Sequence, residues 1–220
     1  MKKYSKHIVV GLACVLLAIF TFCKPNTIDS ASLPFYNTPD FTPVWLKPGD
    51  KEYQHIHTIA PFTFTNQLGQ NISNKNLTGK IYVTNFFFTS CQSICPGMMS
   101  NLSKVQQTFA NDPRVMLLSH SVTPMHDNVP TLAKYAASHQ INSKNWWLLT
   151  GDKEQIYHLA RQSYFAENDN GFNKTTGDFL HTENLILVDT HGRIRGVYNG
   201  SLTLEVNTLI EHIHLLEHEN

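Results

Sequence analysis

A nearly continuous run of β-branched and aromatic residues constrains the fold of this chain more than any other feature. Residues 80–88 read KIYVTNFFF, with a single charge at the first position. Such a run is typical of a central strand that is buried on both faces. Pro96 then suits the first turn of a helix. Apolar residues recur beyond it on one helical face: Met98, Leu102, Val105 and Phe109. We therefore expect a buried strand that leads directly into an amphipathic helix.

The remainder of the body alternates strands and helices. Asp152, with Gln155 three residues later, favours a helix start of the capping-box type. The other predicted elements are a hairpin over 59–73, strands over 115–122 and 146–149, a helix over 130–139, a second hairpin over 185–198 and a terminal helix over 204–217. This order predicts one α/β domain, with a central mixed sheet flanked by helices and an N-terminal hairpin.

Composition and charge exclude several classes of protein. Hydrophobic residues are 41% of the 220 and charged residues only 15%, so the chain can bury a core and is not a disordered segment. Lysine and arginine number 17, as do aspartate and glutamate, which leaves no broad basic field for a nucleic-acid partner. Four cysteines are too few for a disulfide-stapled scaffold.

The N-terminus has the order of an export signal. Residues 1–7 are basic, and residues 8–23 (IVVGLACVLLAIFTFC) carry no charge. The run falls just short of the ~20 residues that span a bilayer comfortably, so an uncleaved anchor and a cleaved signal both remain open. No small-x-small cleavage site stands out before Cys23, which favours an anchor over 1–23. We expect a bacterial inner-membrane protein with its domain in the periplasm, or an exported protein if the segment is cleaved.

A proline-rich segment follows the apolar run. Residues 24–56 hold five of the ten prolines and show no period, which predicts a linker. Its far end, at Phe41, Val44, Trp45 and Leu46, is apolar enough to pack onto the domain. The working domain is then predicted over 57–220.

Two cysteines lie between the buried strand and the helix, in the run 89–96 (TSCQSICP). Open α/β sheets place their sites in such a crevice, and a helix N-terminus favours the thiolate form of Cys95. With three residues between them, Cys91 and Cys95 can form a disulfide or ligate one soft metal ion. The two-residue spacer of a dithiol oxidoreductase and the four cysteines of a structural zinc site are both absent.

Several short motifs extend this pattern: Pro61-Phe62-Thr63, Gly69, LTGK at 77–80, NFFFTSC at 85–91, Cys95-Pro96, WLLTG at 147–151 and the turn from Asp189 to Gly192. Together they resemble the thioredoxin-like superfamily and, within it, the SCO/SenC family of copper chaperones for cytochrome c oxidase assembly. The resemblance covers residues 57–218. It implies a thioredoxin-like fold, copper as the bound metal, and delivery to the binuclear copper site of an oxidase subunit. The partner would be that subunit or another copper or thiol protein.

The resemblance also implies a third ligand, a histidine just before a strand. His181, in the run 178–183 (DFLHTE), stands at the matching place, 86 residues after Cys95. Two positions depart from the family pattern. Thr123 and Leu180 stand where the family usually has aspartates, and loss of a carboxylate beside the ligand histidine changes how the imidazole is oriented.

The ligand set itself agrees with copper. Two thiolates and one imidazole suit Cu(I), and with an added oxygen ligand they also hold Cu(II). The competing hypothesis is a thiol–disulfide reductase that uses Cys91 and Cys95 as its redox pair and does not need His181. A thiol peroxidase is less favoured, because it would want threonine three residues before its reactive cysteine and Phe88 stands there.

Other potential donors have simpler interpretations. His120 and His126 flank Thr123-Pro124 and are interpreted as surface-loop residues, although both lie near enough in sequence to approach the site. Met98 and Met99 are interpreted as core residues. The terminal helix carries His212, His214 and His218 among glutamates, which is typical of a solvated face.

Overall fold

The computed structural model describes residues 32–91, 95–166 and 182–219. Short 3-10 turns occur at Lys51–His55 and Asn74–Leu77. Within the described ranges the strands are β1 (Phe35–Tyr36), β2 (Pro43–Val44), β3 (Thr63–Asn66), β4 (Asn71–Ser73), β5 (Ile81–Phe87), β6 (Val115–Ser121), β7 (Trp146–Thr150), β8 (Asn184–Val188) and β9 (Ile194–Asn199). The helices are α1 (Cys95–Thr108), α2 (Val129–Ser138), α3 (Lys153–His158, continued by one π turn over Leu159–Ser163) and α4 (Thr203–His218).

Seven strands form one mixed sheet in the order β4-β3-β7-β6-β5-β8-β9. Strands β5, β6 and β7 run parallel, whereas β3, β8 and β9 are antiparallel to their neighbours. The predicted N-terminal hairpin is β3–β4, with Phe64 opposite Ile72. The mixed sheet predicted from the sequence is therefore confirmed.

Strand β5 is buried along its whole length. Val83 and Phe87 face a cluster built with α1, α2 and α4, whereas Tyr82 and Phe86 face a second cluster built with α3. Successive side chains on a strand point to opposite faces, so helices on both sides explain why residues 80–88 are almost continuously apolar. The buried strand and the amphipathic helix that follows it are both found as predicted.

Residues Leu33–His55 differ from the predicted linker over 24–56. Leu33 and Phe35 are buried, and β1 pairs with β2. The guanidinium of Arg195 donates to the carbonyl oxygens of Leu33, at 2.6 Å, and Pro34, at 3.1 Å, and lies over the ring of Phe35. These residues therefore belong to the fold. Their partner lies some 160 residues away, so a local count of prolines missed it.

The chain divides into two units, residues 1–32 and 33–220, of which only the second is substantially described. Among the helices within the described ranges, none is long and apolar enough to cross a bilayer. The predicted anchor over 1–23 lies outside the described residues.

Candidate metal centre

The candidate site lies where β5 passes into α1. After Phe87 the chain makes a tight turn, in which the N–H of Cys91 donates to the carbonyl oxygen of Phe88 at 3.2 Å. Helix α1 then begins at Cys95; residues 92–94 lie outside the described ranges. Cys91 is half-buried and Cys95 is buried. The turn thus places one thiol near the surface and the other beneath it.

The two thiols interact with one another. No disulfide joins them, and the side chain of Cys91 hydrogen-bonds the thiol of Cys95. Burial, with the neighbouring Cys91 second, raises the pKa of Cys95 to about 12, against a smaller lowering by the backbone of Phe88. Burial therefore acts on Cys95 against the thiolate that the helix N-terminus was predicted to favour.

Tyr135 on α2 lies close to both thiols. Burial is the main cause that raises its pKa above the ordinary value, followed by the charges of Cys95, Cys91 and Asp127. Its ring packs at a tilt against Phe87, with the centroids 5.6 Å apart. Tyr135 is not recognisable as a site residue from the sequence, because only the fold brings α2 over the end of β5.

Asp127 is a second residue that the sequence analysis missed. Its carboxylate is fully buried and accepts hydrogen bonds from Thr89, Ser121, Thr123 and the ring of His126. Burial alone would raise the pKa of Asp127, but the hydrogen bonds from His126, Ser121 and Thr89 outweigh it and hold that pKa below its ordinary value. The hydroxyl residues at the ends of β5 and β6 were the available sequence signal.

Thr123, where the family usually has aspartate, contacts Asp127 and Ser121. The Thr123 hydroxyl donates to Asp127 Oδ2 at 3.0 Å, and the Thr123 N–H donates to Ser121 Oγ at 3.2 Å. A second carboxylate at position 123 would place like charge against Asp127, whereas threonine supplies a hydrogen-bond donor.

His120 is not the surface-loop residue that the sequence analysis expected. It lies on β6 and is fully buried, among the rings of Phe62, Phe64, Phe86 and Tyr164. Within the described part of the chain neither of its ring nitrogens has a hydrogen-bond partner. Burial lowers its pKa to about 3.

The other donor residues mostly match expectation. The side chain of His126 is 66% exposed, as a surface-loop residue should be. Met98 and Met99 are both core residues, as predicted. On α4, His214 and His218 are exposed, whereas His212 is half-buried and lies 2.7 Å from the hydroxyl of Tyr198.

His181 and Leu180 lie outside the described residues. Among residues 32–91, 95–166 and 182–219, no group of three or more histidine, cysteine, aspartate or glutamate side chains is arranged to hold a metal ion. The described chain resumes at Thr182, and the N–H of Gly200 donates to the carbonyl oxygen of Glu183 at 2.8 Å. Strands β5 and β8 are antiparallel, so the end of β5 that leads to Cys91 meets the end of β8 that begins at Asn184.

The model of the family described as SCO1/SenC matches residues 50–216. The chain belongs to the SCO1/SenC family. The SCO1 protein homolog of Bacillus subtilis (strain 168) is 33% identical over 148 residues, which cover 66% of this chain and 75% of the homolog.

Solved SCO1/SenC structures share the fold. One is BsSco, a member of the Sco family of cytochrome c oxidase assembly proteins in which a disulfide switch was identified. It is 30% identical with a TM-score of 0.64, and the match covers 75% of this chain and 96% of BsSco. ScoI of Bradyrhizobium japonicum, solved with copper bound, is 27% identical with a TM-score of 0.57, covering 71% and 99% of the two chains. The thioredoxin-like fold predicted from the motifs is confirmed.

Proposed function

We propose that this SCO1/SenC protein binds copper through Cys91, Cys95 and His181 and delivers it to the binuclear copper site of cytochrome c oxidase. The observation that carries the proposal is the hydrogen-bonded pair of thiols at the junction of β5 and α1. ScoI with copper bound and BsSco, a cytochrome c oxidase assembly protein, have the same fold.

The topology of the sheet supports His181 as the third ligand. Strand β8 begins at the end of the sheet where β5 finishes. Glu183, two residues after His181, is fixed by hydrogen bonds from both its backbone and its side chain. Its carbonyl oxygen accepts from Gly200, and its carboxylate accepts from the side chain of Asn199 at 2.8 Å. The chain that leads back from Glu183 to His181 therefore starts from a fixed point near the thiols.

The ligand set suits a copper carrier. Two sulfurs and one imidazole nitrogen bind Cu(I) well, and they bind Cu(II) when an oxygen ligand is added. Three ligands leave a coordination position through which an acceptor can take the metal, which a closed four-ligand cage would not offer. Copper is then the cargo of this protein, and its partner is an oxidase copper subunit or another copper or thiol protein. The basic-then-apolar segment over 1–23 would hold the domain at the bacterial inner membrane, facing the periplasm.

A copper titration tests the proposal. We expect the wild-type protein to bind one equivalent, with thiolate-to-copper absorption. His181→Ala and Cys91→Ser should weaken binding by more than the roughly 10–100-fold that loss of a supporting contact to a ligand causes. His218→Ala, at the exposed last residue of α4, is the matched control and should bind as the wild type does. An undiminished copper signal in both His181→Ala and Cys91→Ser would overturn the assignment.

A thiol–disulfide reductase is the second candidate, and the contact between the Cys91 and Cys95 thiols favours it. A reductase needs both cysteines but not His181. Reduction of a partner disulfide that survives in His181→Ala, together with a wild-type protein that retains no copper, would select this function instead.

A further inference from the structure

The carboxylate of Asp127 fixes the turn that carries Cys91. Asp127 Oδ2 accepts from the backbone N–H of Thr89 at 3.1 Å, and Asp127 Oδ1 accepts from the Thr89 hydroxyl at 2.5 Å. Two hydrogen bonds to one residue fix both its backbone and its side chain. Thr89 lies two residues before Cys91, inside the turn closed by the bond from Cys91 N–H to Phe88. The position of Thr89 therefore limits where the Cys91 sulfur can lie.

The same carboxylate is itself held from the other side. Ser121, at the end of β6, donates its hydroxyl to Asp127 Oδ2 at 2.6 Å, and Thr123 donates to the same oxygen at 3.0 Å. His126 Nδ1 lies 2.9 Å from Asp127 Oδ1, and it is the donor because the ionised carboxylate only accepts. Five donors thus surround one fully buried carboxylate, which cannot move without leaving several of them unpaired.

The topology of the sheet brings these partners together. Strands β5 and β6 are parallel, with Phe87 opposite Ser121, so the two loops that follow them leave the sheet side by side. Burial first, and then the charges of Cys95, Cys91 and Asp127, raise the pKa of Tyr135, so the carboxylate and both thiols lie around the same phenol. Thr89 donates two hydrogen bonds to Asp127 and lies two residues before Cys91, so Asp127 acts on Cys91 through Thr89.

We propose that Asp127 is a positioning residue, which holds Thr89 and through it keeps the Cys91 sulfur at the separation from Cys95 that the reduced and metal-bound site requires. As far as copper is concerned, this inference rests on the function proposed above. The effect on the two thiols does not depend on copper binding. Oxidation joins the two sulfurs, with two protons released and two electrons passed to an oxidant such as oxidised dithiothreitol, and the turn that Asp127 holds must adjust to the new bond.

The experiment compares Asp127→Asn, Thr89→Val and Thr89→Ser. Asparagine removes the negative charge and offers one acceptor oxygen in place of two, so Asp127→Asn weakens the charge-assisted contacts with Thr89. Valine removes only the hydroxyl of Thr89, whereas serine keeps it. We expect about tenfold weaker Cu(I) binding in Asp127→Asn, within the range known for residues that support metal ligands. Thr89→Val should weaken binding less, and Thr89→Ser should bind as the wild type does. The double variant Asp127→Asn/Thr89→Val should bind Cu(I) no more weakly than Asp127→Asn does, because the two residues act through the same contact.

The midpoint of the thiol–disulfide equilibrium, measured in dithiothreitol buffers, is the second readout and should shift in the same order of variants. Asp40→Asn is the matched control, because Asp40 also accepts three hydrogen bonds, from Thr38 and Thr42, but in the exposed β1–β2 loop. Melting temperature is followed in every variant. A merely structural Asp127 would lower the melting temperature and leave both readouts unchanged, and that result in Asp127→Asn and Thr89→Val would overturn the inference.

A failure of the proposed function gives a different result. If the wild-type protein bound no copper, the copper proposal would be lost, while the redox midpoints of the same variants would still decide whether Asp127 positions Cys91. If Asp127→Asn did not fold, the comparison of Thr89→Val with Thr89→Ser would decide the matter alone, and equal midpoints in those two would overturn the inference.

Discussion

Lowering the pH from 8 to 4 is expected to raise the stability of His120→Phe relative to the wild-type protein by about 3 kcal/mol of unfolding free energy. Burial lowers the pKa of folded His120 to about 3, whereas an unfolded histidine titrates near 6.5. Between these values the unfolded chain binds a proton that the folded protein rejects. The wild type therefore loses about 1.4 kcal/mol of stability for each pH unit below 6.5, and the loss stops near pH 3.

Phenylalanine suits the site because the surrounding groups are four aromatic rings. It also removes two ring nitrogens that have no partner within the described residues, so the variant should be at least as stable as the wild type at pH 8. Tyr164, the titratable neighbour of His120, has a pKa that burial raises, so it stays neutral throughout this range. A change in stability over this pH range therefore reports the protonation of His120 and not that of Tyr164.

Urea unfolding between pH 4 and pH 8 measures this effect. His139→Phe is the control, because His139 is exposed on the turn that ends α2, and its stability should follow pH as the wild type does. Parallel stability curves for His120→Phe and the wild type would show that His120 is hydrated or paired in solution, contrary to the structure.

Arg195→Met should destabilise the fold by about 3–5 kcal/mol, as expected when one partner of a buried ionic network is removed. The side chain of Arg195 is 3% exposed and lies 2.8 Å from Glu219 and 3.4 Å from Asp189. It also satisfies the carbonyl oxygens of Leu33 and Pro34. Methionine fills a similar volume, so the loss is that of the charge and its hydrogen bonds.

A matched variant separates buried from exposed ionic contacts. Arg114 lies 2.6 Å from Asp112 and 2.7 Å from Glu217, but its side chain is 57% exposed. Arg114→Met should therefore cost no more than about 1 kcal/mol. Unfolding free energies of both variants, with limited proteolysis to follow the release of residues 33–36, are the measurements. Equal losses in the two variants would contradict the role given to Arg195.

What the sequence predicted correctly is what local pattern determines. The buried strand β5 and helix α1 follow from apolar periodicity and from Pro96. Of the capping box predicted at Asp152, the N-cap bond is found: the carboxylate accepts from the Gln155 backbone N–H at 2.9 Å. The positions of Cys91 and Cys95 at the end of a strand follow from the same pattern, since that junction is visible in the order of residues.

What the sequence did not predict depends on contacts between distant segments. The packing of Leu33 on Arg195 and the convergence of Thr89 on Asp127 join residues far apart in the chain. Burial depth is equally invisible locally. It raises the pKa of Cys95, and it makes His120 a core residue where the sequence predicted a loop residue.

The antiparallel pairing of β5 with β8 also bears on how the protein is made. Tyr82 pairs with Val188, a contact that closes a long loop and so is slow to form. A domain folds as a unit during synthesis, so the residues of β5 and α1, with both thiols, are made well before those of β8 and wait for them. During that interval the thiols are exposed to oxidants without the strand that later closes one side of their site. A disulfide between Cys91 and Cys95 that forms in this interval therefore forms before the fold sets the separation of the two sulfurs.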